Sequence, residues 1–248
     1  MLPSSIKDGM RNLQQLLERA DTLDYEDGCK AYIRYHDLLT RIAHKYETDF
    51  YRTCAAFCAL SPNNDYVGNL RSLVTLLDIK QRDGDAAMYR GTVSTYKHCR
   101  DRAITYLTGQ VDFLETVKGQ KITAFYHNIS DPTLWGPVTV DGHMVAAYID
   151  DPAMKMKDAV QWLTRARYVE VSIALQELAH AKRMLPHQMQ AILWFTRKRT
   201  LGIKYTAQMD MLGPPGQGQR VTFDLDHIHP FTSGFRDPRA RQGNLLTA

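Results

Sequence analysis

Apolar residues recur at intervals of three and four along most of residues 6–200, and this spacing narrows the choice of fold more than any other property of the chain. The run at 6–17 is apolar on one face, whereas the run at 50–60 is apolar nearly all round. A repeat near 3.6 residues is typical of α-helices, and few segments alternate with the period of two of a half-buried strand. The sequence therefore predicts a mostly α protein.

The composition changes near residue 212, where the segment GPPGQGQ follows the last helical pattern. Clusters of glycine and proline favour turns and loops over regular elements. We expect an α-helical domain over residues 1–211 and a C-terminal extension over residues 212–248 that is irregular or contains a short β-strand. The 248 residues suffice for one medium domain or two small ones, with a core that needs no disulfide or metal.

Charge and cysteine content restrict the compartment more than the function. The chain has 31 Lys and Arg residues against 27 Asp and Glu, and the net charge of +4 permits a nucleic-acid partner without demonstrating one. The 4 cysteines form no Cys-x-x-Cys pair, which favours reduced thiols in the cytoplasm. No apolar run reaches the roughly 18 residues of a membrane span, so we expect no membrane partner. We also expect a monomer.

Two neighbouring segments combine residue types that can support catalysis. In the first, Gly119 and Gln120 precede Lys121 at the predicted start of a helix. In the second, Asp141 precedes an apolar run that begins at Gly142, 20 residues after Lys121. A glycine turn before a helix leaves backbone N–H groups free for a phosphate, and an aspartate at a helix start is favoured by the helix dipole. The segments therefore indicate an anion site beside a lysine and a carboxylate.

These segments resemble the helix-hairpin-helix DNA glycosylases. Gly119-Gln120-Lys121 is similar to the G-x-K that ends the hairpin motif of that family, and 138–144, with the sequence VTVDGHM, looks like its V-x-V-D-x-H-M motif. The likeness is greatest to the bifunctional 8-oxoguanine branch. The sequence FCALSPNN at 57–64 resembles the helix end and turn that family members insert into the duplex. The resemblance covers roughly residues 50–150.

The resemblance implies a DNA glycosylase with abasic-site lyase activity, acting in base excision repair on a damaged or modified base flipped out of double-stranded DNA. Lys121 would be the nucleophile that forms a Schiff base with C1′, and Asp141 would stabilise the cationic sugar. His143 is a secondary catalytic candidate. Neither a cofactor nor a metal is expected. The residues expected to contact DNA are Asn63, Asn64, Lys118, Gly119 and Gln120, together with Arg197 and Lys198 from a basic run at a helix end.

Each of these residues also has a purely structural interpretation. A lysine after a glycine turn is commonly a solvated residue at a helix start, and an aspartate before a helix is an ordinary N-cap. Asparagine is common in turns for conformational reasons, which applies to Asn63 and Asn64. Cations at the end of a helix complement its dipole without any ligand.

Other functions remain open on the sequence alone. The segments 226–230, with the sequence DHIHP, and 243–245, with the sequence GNL, resemble the opening of an HNH nuclease motif, in which histidine activates water beside a metal. A base-modifying transferase on the same scaffold, as in a phage genome-modification enzyme, is a second alternative, and its location would be the host cytoplasm. A DNA-binding module without catalysis is the third.

Overall fold

The computed structural model describes residues 3, 5–64 and 66–203, and the statements below refer to these residues. They form 11 α-helices and one 3-10 helix, with no strand among them. The α-helices are α1 (Ile6–Leu17), α2 (Thr22–Lys45), α3 (Phe50–Leu60), α4 (Tyr66–Asp83), α5 (Lys97–Leu107), α6 (Phe113–Thr116), α7 (Gln120–Ser130), α8 (Gly142–Ile149), α9 (Met156–Trp162), α10 (Arg165–Ala181) and α11 (Pro186–Thr200). The predicted mostly α class is confirmed. The helix-hairpin-helix architecture stays a prediction.

Several helices begin and end at the residues that the sequence predicts, because the residues that start and stop a helix act locally. Helices α1 and α3 have the predicted bounds. The Ser5 side chain accepts the backbone N–H of Asp8 at 3.3 Å, and Asp49 accepts that of Arg52 at 2.8 Å, so each helix has its N-cap. Pro186 occupies the first turn of α11, where its missing N–H leaves no hydrogen bond unmade.

The apolar spacing of residues 85–107 and of residues 155–184 predicts a continuous helix in each segment, and both helices are interrupted in the structure. Residues 85–107 form a 3-10 helix at Asp85–Arg90 and then α5, because Gly91 takes an extended backbone at the C-cap of the 3-10 helix. Residues 155–184 form α9 and α10, which begins anew because the Thr164 side chain accepts the N–H of Arg167 at 3.3 Å. Periodic apolar spacing marks the buried face of a segment, but it does not detect a cap within it.

The described residues divide into two compact units. The first combines the segment that ends at His36 with the segment that begins at Lys118, so it contains α1, the start of α2 and α7–α11. The second, Asp37–Val117, contains the rest of α2 and α3–α6. The predicted boundary between residues 211 and 212 lies outside the described residues.

The core of the first unit surrounds α8. Met144, Val145 and Tyr148 of this helix are fully buried among apolar side chains of α1, α10 and α11. Burying a side chain of this size contributes roughly 1.5–3 kcal/mol to stability. At Gly9 of α1, an added Cβ would lie 1.9 Å from the Tyr148 ring, so the two helices need a glycine to approach this closely. The packing fixes α8 and with it the position of Asp141.

The second unit has its own core, built around α3. Every residue from Thr53 to Leu60 is buried, and Asn69 donates to the carbonyl oxygen of Phe57 at 3.1 Å. Burial raises the pKa of the Cys54 and Cys58 thiols well above the ordinary value, which keeps them protonated. Among the residues that the structure describes, no group of three or more His, Cys, Asp and Glu side chains could hold a metal ion. No described helix is long and apolar enough to span a membrane.

Candidate functional site

Lys121 lies in the first turn of α7, directly after the break that separates this helix from α6. Gly119 has a φ of +117°, a conformation that side chains rarely allow, and its carbonyl oxygen accepts the N–H of Thr123 at 3.2 Å. Lys118 and Gly119 are exposed, whereas Gln120 and Lys121 are half-buried. The glycine turn before Lys121 is therefore present as the sequence predicts.

Asp141 ends an extended segment that a tyrosine holds in place. The Tyr168 hydroxyl donates to the carbonyl oxygen of Val138 at 2.6 Å and accepts the N–H of Val140 at 3.3 Å. From the other side, the Asn128 amide donates to the Thr139 hydroxyl at 3.1 Å. Three successive residues before Asp141 are thus fixed to α7 and α10, so its backbone has little freedom.

Both carboxylate oxygens of Asp141 accept hydrogen bonds. Oδ1 accepts the N–H of Met144 at 3.0 Å, which makes Asp141 the N-cap of α8. Oδ2 accepts the indole Nε1–H of Trp194 from α11, also at 3.0 Å. A carboxylate offers about four acceptor sites, so these two bonds do not exhaust it. The side chain is oriented by two elements that are far apart in the sequence.

Lys198 completes this cluster from the next turn of α11. Its Nζ lies 3.5 Å from the centroid of the Trp194 ring, a cation–π arrangement. The His143 ring approaches Trp194 edge-on, with 6.0 Å between the ring centroids. The indole therefore contacts a carboxylate, an ammonium and an imidazole.

The charges around this cluster act on one another. Burial lowers the pKa of Lys198 to about 8, and the Asp141 carboxylate opposes this change. Burial also lowers the pKa of His143, where Asp141 again opposes it while the positive charges of Lys198, Arg197 and Lys121 add to it. Lys121 and Asp141 therefore both lie within electrostatic reach of the same imidazole ring.

Arg197 has a buried position in the protein. It is 6% exposed, and its Nη2 donates to the carbonyl oxygen of Asp151 at 3.1 Å. Burial lowers the pKa of this guanidinium, and the carboxylates of Asp151, Asp141 and Asp150 partly offset that effect. This contact gives Arg197 a structural role, and its predicted contact with DNA stays a prediction.

A groove of about 720 Å³ runs beside the start of α7. Its described lining includes three basic side chains, Lys121, His127 and Arg165, and no acidic one. Tyr168, which anchors the segment before Asp141, lines it as well. Ligand sites typically have volumes of about 300–1,000 Å³, so the groove is large enough for a nucleotide. Its charge suits a phosphate.

The two asparagines expected to enter the duplex lie in the second unit, in the turn after α3. Asn63 is exposed and has a φ of +51°. Asn64 is half-buried, donates to the carbonyl oxygen of Leu60 at 3.1 Å and accepts the Ser94 hydroxyl at 2.6 Å. The Asn64 side chain thus stabilises the turn. The HNH-like segments at 226–230 and 243–245 lie outside the described residues.

A comparison with protein families gives a match over residues 2–200 to a family described as a family of unknown function, DUF7178. The chain belongs to DUF7178. Comparisons with curated proteins and with solved structures gave no match. The DUF7178 match includes every residue of the cluster around Asp141, and it assigns a role to none of them.

The sequence did not reveal all the residues of the cluster around Asp141 and of the groove beside α7. The helical pattern around Trp194 predicts only a core or pocket residue, whereas its hydrogen bond to Asp141 joins residues 53 positions apart. Arg165 and Tyr168 carry no distinguishing signal in the sequence, since a basic residue at a helix start and a tyrosine at an apolar position of a helix are both common. The composition of the groove depends on tertiary contacts, for which one sequence carries no local signal.

Proposed function

We propose that this protein is a DNA glycosylase with abasic-site lyase activity, acting on a damaged or modified base flipped out of double-stranded DNA. The observation that carries the proposal is the setting of Asp141. Its carboxylate is fixed at the start of α8 by Met144 and Trp194, and its charge and that of Lys121 act on one imidazole ring. The resemblance of both segments to the glycosylase motifs supports the same function.

The chemistry needs a carboxylate and an amine on the same sugar. As the bond between C1′ and the base breaks, the base leaves with the electron pair, and Asp141 stabilises the positive charge that develops on the sugar. The neutral amine of Lys121 then bonds to C1′, and one of its protons passes to the ring oxygen O4′ as the bond between C1′ and O4′ breaks, which opens the sugar ring and leaves a protonated Schiff base. Removal of a proton from C2′ expels the 3′ phosphate.

The surroundings of Lys121 suit a DNA substrate. The groove beside it presents Lys121, His127 and Arg165, which can neutralise phosphates on either side of the flipped nucleotide. The exposed side chain of Lys118 lies just before the glycine turn. A site built from such contacts predicts binding that weakens steeply with salt.

Borohydride trapping tests the proposal directly. Duplex oligonucleotides carrying an abasic site, 8-oxoguanine, uracil or a hypermodified pyrimidine are incubated with the wild type, Lys121→Ala, Asp141→Asn and the exposed control Lys182→Ala. We expect a covalent adduct with the wild type and the control, its loss in Lys121→Ala, and mapping of the adduct to Lys121 by mass spectrometry.

Other results would revise the proposal in different ways. Base release without an adduct that depends on Asp141 would leave a glycosylase without lyase activity. An adduct that persists in Lys121→Ala would assign the Schiff base to another amine. Neither adduct nor base release on any of the duplexes would contradict the proposal and favour a base-modifying transferase or a DNA-binding module.

A further inference from the structure

Lys198 and Trp194 form a pair on one face of α11 that the proposed chemistry does not use. They are four residues apart, so their side chains lie over each other on the helix. The Lys198 Nζ is 3.5 Å from the ring centroid, and the ring donates its only N–H to Asp141 Oδ2 at 3.0 Å. One end of the pair thus contacts the carboxylate through a hydrogen bond, and the other acts on it through charge.

The position of Lys198 is unusual for a lysine. The ammonium is a strongly hydrated group that is costly to desolvate, and here it is half-buried. The stem of the side chain gains from packing on the Trp194 ring, while the ammonium loses hydration. The carboxylate of Asp141 acts on it attractively. The side chain therefore has a reason to lie at Asp141.

We propose that Lys198 is a positioning residue for Asp141: its ammonium, packed on the Trp194 ring, keeps the indole directed at the carboxylate and adds a positive charge that acts on it. The activity test of this inference rests on the proposed function, whereas the titration test described last does not. The titratable and charged groups that act on Asp141, His143 or Lys198 come from several helices, namely Tyr32 of α2, Lys121 of α7, Tyr168 of α10 and Arg197 of α11.

The rate of base release should follow the charge of Lys198. Because the pKa of Lys198 is about 8, about a tenth of the amine is neutral at pH 7 and most of it above pH 9. We expect the kcat of the wild type to fall as the pH rises through about 8. Lys198→Arg, whose charge persists above pH 12, should retain activity and move this decline upward by more than about one pH unit.

Replacing Lys198 with an uncharged residue distinguishes a positioning role from a role in DNA binding. Lys198→Met should lower kcat about tenfold at pH 7 and leave KM within about twofold, because the residue acts through Asp141. If Lys198 instead contacted a phosphate, Lys198→Met would raise KM, and the number of ions released on DNA binding, measured from the salt dependence of the affinity, would fall by about one. Lys182→Met removes an exposed charge from the same unit and should change neither constant. Equal pH profiles for the wild type, Lys198→Met and Lys198→Arg would overturn the inference.

Titration of the lysine side chains by NMR tests the coupling without any activity. The signal absent from Lys198→Arg should titrate near pH 8 in the wild type. It should titrate at a lower pH in Asp141→Asn, because the carboxylate that raises the pKa is gone while asparagine still caps α8. Titration near 10.4, as in an ordinary lysine, or an unchanged value in Asp141→Asn would refute the inference. Failure of base release together with this shift would count against the proposed function alone.

Discussion

Replacing Asp141 should separate two contributions of its carboxylate to the stability of the first unit. Asp141→Ala removes the N-cap of α8, which costs about 1 kcal/mol, and the charge-assisted bond from Trp194, which costs about 2 kcal/mol. Asp141→Asn keeps one oxygen that can accept the N–H of Met144, but its NH2 group takes the place of Oδ2 and cannot accept the N–H of Trp194. We expect losses of about 3 kcal/mol for alanine, which removes both contributions, and about 2 kcal/mol for asparagine, which keeps the cap, in the free energy of unfolding.

Urea unfolding followed by tryptophan fluorescence measures these losses in the relevant unit, since all 3 tryptophans, Trp135, Trp162 and Trp194, belong to it. In a Trp194→Phe background the hydrogen bond to Oδ2 is already absent. The cost of Asp141→Ala should therefore fall there by about 1–2 kcal/mol, as a double-mutant cycle would report. Equal stabilities of the alanine and asparagine variants, or an unchanged cost in the Trp194→Phe background, would refute this account of the carboxylate.

Three further substitutions test the packing that positions the site. Gly28→Ala should lower the free energy of unfolding by about 3 kcal/mol, despite the better helix propensity of alanine, because its Cβ would lie 2.6 Å from the backbone nitrogen of Ile192. A variant as stable as the wild type in urea would show that α2 and α11 are not this close. Burial lowers the pKa of His187 to about 4, below the unfolded value of about 6.5. Above pH 6.5 the histidine is neutral in both states, so its titration does not reduce the free energy of unfolding there. As the pH falls from 6.5 to 4, only the unfolded state takes up a proton on His187, so the free energy of unfolding should fall by about 3 kcal/mol. The free energy of unfolding of His187→Gln should fall by less over the same pH range. Tyr168→Phe removes the hydroxyl bonded to Val138 and should cost about 2 kcal/mol together with part of the base release, and wild-type behaviour in both assays would contradict its anchoring role.

The residues that the sequence placed well are those with local determinants. Asp141 caps α8 through a contact with a residue three positions ahead, and Gly119 allows the turn before Lys121 by its own backbone. Both features follow from residue type and position at a helix start. The start of α11 at Pro186 is predictable for the same reason.

The contacts that the sequence did not reveal are those between distant residues. The Tyr168 hydroxyl meets Val138 across 30 positions, and the Trp194 indole meets Asp141 across 53. Apolar periodicity gives the buried face of each helix, but any of several helices could cover that face. The cluster around Asp141 therefore becomes visible only once the packing order of α7, α8, α10 and α11 is known.

The basic run at the end of α11 shows how far a charge pattern can be interpreted. Successive residues of a helix point about 100° apart, so neighbours in the sequence cannot share one environment. Arg197 donates to the backbone of Asp151, Lys198 lies over Trp194, and Arg199 forms an ion pair with Asp24 at 2.6 Å. Each cation has a different partner within the protein. Arg197 and Lys198 both act on the Asp141 carboxylate through charge, and Lys198 also lies on the tryptophan that is hydrogen-bonded to it. A change in kcat rather than in DNA affinity is therefore the informative measurement for Lys198, because affinity would report the basic run as a whole, whereas kcat would report an effect on Asp141.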